Sequence, residues 1–173
     1  MNKAIWLGSV LALLSTTSTA LADTVFMTVK AAKQGDFKGG STQKGKEGAM
    51  QCTGFQSQLL VPRDNATGRA SGRLQIDPIK CVKHIDRASP LFVNALLTNE
   101  VLTEVTFSFS QTAAGGPEKL EKVAYTVALK NATVAGVRQF LDPAGLAQEE
   151  ITISYQQATT TFVDGGVTAE IKR

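Results

Sequence analysis

The residues best suited to chemistry are one histidine and two cysteines in the first half of the chain. His84 is the only histidine, so any histidine-dependent reaction must use it. Cys81 lies three residues earlier, and on an extended strand an odd separation points two side chains to opposite faces. This spacing argues against a nucleophile and base made of Cys81 and His84. The ordinary interpretation is a strand histidine with its ring at the surface.

A zinc site is the alternative use of the same residues. It would combine Cys52, Cys81 and His84 with a fourth ligand such as Asp86, and it would need a strand bulge to bring the ring round. We expect no metal and no cofactor. The carboxylates mostly lie beside glycine, proline or lysine, and no pair of them has a spacing that indicates an acid and a base. The sequence therefore predicts a protein that is not an enzyme.

A pattern similar to a phosphate-binding loop begins at Gly40. The segment GSTQKGK has glycines and a lysine at the spacing with which backbone amides wrap phosphates and the lysine reaches them. The next residue is Glu47, where a serine or threonine is needed to hold magnesium. The segment that follows resembles a strand and not the helix whose N-terminus would bind the anion. We predict a flexible, lysine-rich surface loop here.

The two cysteines have a second interpretation as a disulfide. As antiparallel partners of one hairpin, Cys52 and Cys81 would face each other if the turn centred between Ala66 and Thr67. That centre lies in PRDNATGRASG, which has the richest turn composition in the chain. Two buried free thiols on neighbouring strands remain the alternative, since a long loop fixes register poorly.

The first 22 residues are typical of a secretory signal peptide. Lys3 gives a charged start, residues 4–14 are apolar, and Ala20-Leu21-Ala22 predicts cleavage before Asp23. The apolar run is 11 residues long, whereas a membrane helix takes about 20. We therefore expect an exported, periplasmic or secreted protein without stable membrane insertion, in a compartment that permits a disulfide. The net charge of +3 is small and spread, so it does not indicate nucleic acid binding.

The remaining chain, 23–173, is predicted to be one mainly β domain. Period-two alternation predicts strands over 24–30, 49–60, 73–85, 101–109, around 125–129 and over 151–162, with Pro78 marking an edge position or a bulge. Glycine-rich or turn-rich segments lie at 33–48, 112–119 and 142–145. Short strands separated by such turns favour a small antiparallel β-barrel with one flanking α-helix.

The helix is predicted from Ser89 to Asn99. Serine followed by Pro90 is a helix start signal, because the hydroxyl can cap a free amide and proline is tolerated in the first turn. Leu91, Phe92, Ala95 and Leu96 share one face, and Asn99 tolerates the left-handed conformation found just past helix ends.

Three segments carry a resemblance to a known family. They are GDFKGGSTQKGKEG at 35–48, IDRASPLFVNALLTNEVLTEVTF at 85–107, and the close pair EEITISYQ and VDGGVTAE at 149–156 and 163–170. In this order they resemble the haemolysin-coregulated protein (Hcp) family, whose members stack as hexameric rings into the tube of bacterial type VI secretion. The resemblance implies a homohexamer with spike, sheath and effector proteins as partners.

The resemblance also implies where contacts are made. The extended loop that stacks rings corresponds to 61–73, with Pro62, Arg63, Asp64 and Asn65 at its head. The helix matches the family helix along the channel, where some effectors are carried; its residues there are Ser89, Leu91, Phe92, Asn94 and Ala95.

Two functions from different classes follow. In the first, the chain is a structural ring-forming subunit that assembles as stacked hexamers and carries effectors in the channel. In the second, it is an exported binding or interaction protein that retains the barrel and uses its surface for a ligand or partner.

Overall fold

The computed structural model describes residues 23–112 and 121–172, so the predicted signal peptide and most of the predicted break at 112–119 lie outside it. The described chain consists of ten strands and one helix, which lies between the sixth and seventh strands. In order the elements are β1 Thr24–Ala31, β2 Gly35–Phe37, β3 Met50–Gln56, β4 Leu59–Leu60, β5 Gln75–Ile76, β6 Ile79–His84, α1 Ser89–Thr98, β7 Val101–Thr112, β8 Glu121–Leu141, β9 Ala147–Phe162 and β10 Val167–Lys172.

Six of these strands close into an antiparallel barrel. Their order is β9-β6-β3-β1-β7-β8, and β8 pairs with β9 to complete the circle. β2 pairs with β1, β10 pairs with β9, and β4 and β5 form a separate two-stranded sheet. Closure gives both edges of each barrel strand a partner, so the backbone amides of these short strands are satisfied within the subunit. The predicted barrel with a flanking helix is confirmed.

The core fills the barrel and continues beneath the helix. Alternate residues of the strands point inward, as expected for a sheet with one covered face. Phe37 and Phe92 meet edge to face, with ring centroids 5.1 Å apart, and this contact packs α1 on the barrel. The largest fully buried apolar side chains are Phe26, Phe92, Phe107, Met27, Met50, Ile79, Leu102, Leu129, Ile151 and Ile153.

The helix begins at Ser89 and ends before Asn99 as predicted, but its start is capped differently. Asn99 adopts the left-handed conformation, with φ 48° and ψ 44°, just after Thr98. At the other end the N-cap is Ala88, and Ser89 is already helical. The side chain that serves the helix start belongs to Asp86, whose Oδ1 accepts a hydrogen bond from the Ala88 amide at 2.9 Å. The Ser89 hydroxyl is used elsewhere, which explains why it does not cap.

β8 is much longer than its predicted segment around 125–129. Its alternation is interrupted at Asn131, which has φ 50°, and again by a register shift between Val134 and Gly136. These two irregularities hide the period of two from a sequence pattern although pairing with β9 continues to Leu141. The sequence analysis assigns no strand to β10, although its residues VTAEIK alternate apolar and polar side chains; in the structure the first four are exposed.

The predicted strands over 49–60 and 73–85 are each divided in two. Pro78 lies in the break between β5 and β6, which suits a residue without a backbone N–H. The prediction of an edge position or bulge at Pro78 is wrong, since β6 begins after it and pairs with β3 on one side and β9 on the other. Among the described residues, no helix is long and apolar enough to span a membrane.

Candidate assembly surfaces

The segment 57–78 projects from one end of the barrel as a hairpin, and we call it the hairpin below. β4 and β5 pair within it, and Arg63 bridges to Ala70 nearer the tip. The Ser71 amide donates to the Pro62 carbonyl and the Asp64 amide to the Arg69 carbonyl, each at 2.9 Å. The hairpin is therefore an ordered structure of its own and not a loose loop.

The four predicted loop-head residues, 62–65, come together at the tip of the hairpin. Asp64 Oδ1 accepts hydrogen bonds from the Thr67 hydroxyl and the Thr67 amide, both at 2.8 Å, and from the Ala66 amide at 3.1 Å. These hydrogen bonds lower the pKa of the Asp64 carboxyl, and the bond from the Thr67 hydroxyl has the largest effect. Arg63 Nη1 donates to the Gly68 carbonyl at 3.1 Å. Both charged residues thus shape the tip as well as presenting charge.

The base of the hairpin exposes apolar side chains. Leu59, Leu60 and Leu74 are 44%, 49% and 46% exposed. Leucine side chains left half in water on a two-stranded sheet gain little from burial within the subunit. A cluster of this kind on a projecting element is typical of a contact surface.

The helix lies at the other end of the barrel from the hairpin. Both elements adjoin β6, the hairpin before Ile79 and the helix after His84, so a strand length of about 20 Å separates them. Of the predicted channel-side residues, Ser89, Phe92 and Ala95 are buried against the barrel, Leu91 is half-buried and Asn94 is exposed. The outward face of the helix consists of Pro90, Val93, Asn94 and Leu97.

The two cysteines form a disulfide, with a Cα–Cα distance of 5.8 Å. The predicted register, with the cysteines directly opposite, is wrong: Cys52 pairs with Lys83, and Cys81 pairs with Phe55. A register shift lies between Cys52 and Gly54, and the two cysteines bond diagonally across the ladder at this point. Because both sulfurs are used in this bond, neither the Cys81–His84 pair nor the zinc alternative is available.

His84 itself is exposed at the end of β6, as predicted. Within the described residues no group of three or more histidines, cysteines or carboxylates is placed to hold a metal ion.

The glycine-rich segment 38–48 is a surface loop, but it is fastened to the body. The Gly40 amide donates to Asp86 Oδ2 at 3.2 Å, and Arg87 Nε donates to the Gly39 carbonyl at 2.7 Å. At Gly39 an added Cβ would lie 2.5 Å from the Ala49 carbonyl oxygen, so only glycine fits. Strand β3, not a helix, follows the loop, so the phosphate-loop pattern lacks its anion-binding helix. The predicted lysine-rich surface loop is present, and these contacts hold its first residues against the body of the protein.

A buried ionic cluster joins the helix to the barrel. Lys83 and Glu149 are direct partners across β6 and β9, and Lys83 Nζ lies 2.8 Å from Glu149 Oε1. The same ammonium is 2.7 Å from Asp86 Oδ1. The Ser89 hydroxyl, the first side chain of the helix, donates to Glu149 Oε1 at 2.7 Å. One cation and two carboxylates thereby fix the position of the helix start.

Sequence reasoning missed this cluster, although a pattern could have found it. In β6 the inward positions are Ile79, Cys81 and Lys83, two residues apart. In β9 they include Glu149, Ile151 and Ile153 with the same period. When two strands each have a charged residue, of opposite sign, among their inward-facing positions, the pattern predicts a buried ion pair.

Comparison with known proteins gives this architecture a family. A family model described as type VI secretion system effector, Hcp, matches residues 26–162. The match spans the barrel, the hairpin and the helix. The chain belongs to the Hcp family. The resemblance drawn from the three sequence segments is confirmed.

Two curated relatives support the assignment. The chain is 27% identical over 162 residues to a protein of Pseudomonas aeruginosa called "Major exported protein", covering 84% of this chain and 92% of the relative. It is 29% identical over 140 residues to the uncharacterised protein YhhZ of Escherichia coli K12, covering 79% of this chain but 34% of that longer protein.

Solved Hcp structures share the fold. A mutant form of the Hcp1 protein from the E. coli EAEC 042 pathovar superposes with a TM-score of 0.78 at 24% identity, over 87% of this chain and 99% of that one. The secreted protein Hcp3 of P. aeruginosa superposes with a TM-score of 0.72 at 23% identity, over 87% and 98%. At this identity the likeness is one of fold.

Proposed function

We propose that residues 23–173 form a single-domain structural subunit of type VI secretion, which assembles into six-membered rings that stack into a tube. The observation that supports this most strongly is an Hcp barrel that keeps an ordered, projecting hairpin with half-exposed leucines. Ring closure repeats one heterologous contact between copies, so each subunit needs two different contact faces. This role is structural and involves no catalysis.

In the proposed tube the hairpin makes the contact between rings. Asp64 and Asn65 lie in the turn at its tip, Pro62 and Arg63 lead into that turn, and its base offers Leu59, Leu60 and Leu74 for burial. The helix and the 38–48 loop lie at the opposite end of the barrel. The hairpins of one ring can therefore contact the helix end of the next ring. By family the further partners are spike, sheath and effector proteins.

A channel contact through the helix is also part of the proposal. Since Ser89, Phe92 and Ala95 pack inward, effectors would meet the outward face, of which Asn94 and Leu97 are the most prominent members. Leu97 is 79% exposed, so that face offers apolar surface to a passing polypeptide.

Export is proposed from three observations. The first 22 residues have the composition of a signal peptide ending at Ala22, the relative from P. aeruginosa is named for export, and the Cys52–Cys81 disulfide suits an oxidising compartment. N-terminal sequencing of protein from the native host should give Asp23 as the first residue. Full-length chain recovered from the cytosol would overturn this part.

The second candidate function is an exported binding protein that keeps the barrel as a monomer. The same leader and disulfide favour it, because an exported chain leaves the compartment where a tube grows. Negative-stain imaging of oxidised protein separates the candidates: six-fold rings and stacks support the tube subunit, whereas isolated particles of one barrel support the binding protein.

A further inference from the structure

The hairpin is connected to the barrel through β3 and β6, which run directly into it. Its shaping hydrogen bonds are internal, such as that from the Asp77 amide to the Gln58 carbonyl at 3.1 Å. Ile76, at its base, packs against the core. The direction in which the hairpin leaves the barrel therefore depends on how β3 and β6 are held together.

The two strands are held unequally. β6 pairs with β9 over its whole length, from Ile79 to His84. β3 pairs with β1 only as far as Cys52, and beyond that point its partner is β6 alone. The outer leg of β3, residues 54–56, therefore has a backbone partner on one side only. It is also held by Phe55, whose ring packs edge to face on Phe107 and Phe109 with centroids 5.0 Å apart.

A bulge separates this leg from the barrel. Cys52 pairs with Lys83, but the next pair is Gly54 with Val82, which leaves Thr53 as an extra residue. A bulge bends the strand that contains it and increases the local twist. Any change of angle at Thr53 swings the outer leg of β3 and the hairpin with it.

The disulfide spans this bulge. Cys52 lies on the barrel side, and Cys81, which pairs with Phe55, lies on the hairpin side. The bond therefore ties the last firmly held residue of β3 to the strand that carries the other leg. It closes a covalent loop, with a sequence separation of 29, that contains the whole hairpin.

Strand pairing that does not involve the disulfide keeps the barrel closed. β7 pairs with β1 and β8 along most of its length, β8 pairs with β9 from Tyr125 to Leu141, and β6 keeps its ladder with β9. Loss of the disulfide should thus loosen the hairpin and leave the barrel folded.

We infer that the Cys52–Cys81 disulfide locks the hairpin in its stacking direction, so that stacking of this chain depends on oxidation. The inference rests on the proposed role of the hairpin in stacking. The two thiols give up two protons and two electrons as the S–S bond forms, and the acceptor is a disulfide-bonded thiol oxidoreductase of the export compartment, which is reduced to its dithiol. Until the bond forms, the chain has a closed barrel whose hairpin can change direction, and stacking is suppressed.

The experiment compares three forms of residues 23–173: protein oxidised with oxidised glutathione, the Cys52→Ala/Cys81→Ala variant, and a Val134→Ala control that weakens the β8 core but keeps the disulfide. Hydrogen exchange is followed at hairpin amides and at β7 and β8 amides, and stacking by sedimentation. Without the disulfide we expect hairpin amides to exchange at least about tenfold faster than in the oxidised protein. Amides in β7 and β8 should stay far better protected than the hairpin amides, although their exchange quickens with the loss of global stability. The number of subunits per ring should not change, and stacks should require higher protein concentration.

Several results would overturn the inference: equal hairpin exchange in the first two forms, equal stacking, or loss of stacking in the Val134→Ala control as well. Unfolding of the cysteine variant, seen as complete loss of protection throughout β7 and β8, would also contradict it, because the barrel would then not fold without the bond. If oxidised protein forms no rings, the proposed function fails. The hairpin exchange still decides separately whether the disulfide acts as the lock.

Discussion

Lys83 is a buried cation that two carboxylates neutralise. Its ammonium is buried between Glu149 and Asp86 and lies 5.8 Å from the centre of the Phe92 ring. Burying a charge is costly unless a partner and hydrogen bonds compensate it. Here the compensation comes from both carboxylates, with Ser89 and Gln139 donating to Glu149. The cluster therefore specifies where the helix sits.

Replacing Lys83 by methionine should lower the free energy of unfolding by about 3 to 5 kcal/mol, because Glu149 is left as an unpaired buried charge. The double variant Lys83→Met/Glu149→Leu should regain much of this loss. Lys122→Met, which removes the exposed pair with Asp164, should cost within about 1 kcal/mol. Urea unfolding measures all three. A Lys83→Met effect no larger than that of Lys122→Met would contradict the account.

Glu100 ties the helix end to the turn after β1. Burial raises the pKa of its carboxyl, but hydrogen bonds from the Gln34 and Lys33 amides outweigh burial and lower it below 4.5. The group therefore stabilises the fold above pH 4.5, and this contribution is lost as the pH falls through the lower folded pKa. In Glu100→Gln the urea midpoint should fall less steeply than in the wild type as the pH is lowered below 4.5. Identical slopes in variant and wild type would show that Glu100 does not contribute.

At the scale of elements, the hairpin is the proposed stacking element. It is internally ordered and exposes leucines at its base, and a disulfide crosses the bulge beneath it. Its tip depends on one carboxylate, since Asp64 accepts three hydrogen bonds from Thr67 and Ala66. The shape of the contact surface and the charge on it thus come from the same residue.

Asp64→Ala should disorder the tip and shorten stacks while leaving single rings intact. Asp64→Asn is the matched control, because its amide oxygen still accepts the same hydrogen bonds although the charge is gone. Negative-stain length distributions compare the two. If both variants shorten the stacks equally, the effect comes from the charge of Asp64. If neither variant shortens them, the tip does not take part in the stacking contact.

The disulfide should also stabilise the fold as a whole. Closing a loop of this length contributes roughly 3 to 4 kcal/mol in the chain-entropy model. Urea unfolding of oxidised and reduced protein should differ by that amount. Indistinguishable unfolding curves would show that the bond adds nothing to global stability.

Elements with local start and stop patterns could be predicted from the sequence. The helix end at Asn99 and the tip around Asp64 depend on residue types that favour those backbone conformations. The β3–β6 register could not, because the bulge at Thr53 is set by long-range pairing with Lys83 and Val82. Nor could the leucines at the hairpin base be assigned to a surface, since their sequence pattern equally suits a buried strand.

At the scale of the whole molecule, the closed barrel separates two ends with different properties. One end carries the hairpin; the other carries the helix, the 38–48 loop and the β8–β9 turn, where Leu141 and Leu146 are exposed. A subunit with unlike ends is suited to head-to-tail stacking, in which the same contact repeats without closing. Ring formation and stacking are therefore distinct contacts and should respond to different variants.

The central claim is that this chain forms a ring of six copies. The most direct test is sedimentation velocity of oxidised 23–173 across the micromolar range, with native mass spectrometry to count subunits. The account predicts a discrete species of six subunits, with larger multiples appearing as concentration rises. A single monomeric species over the whole range would contradict it.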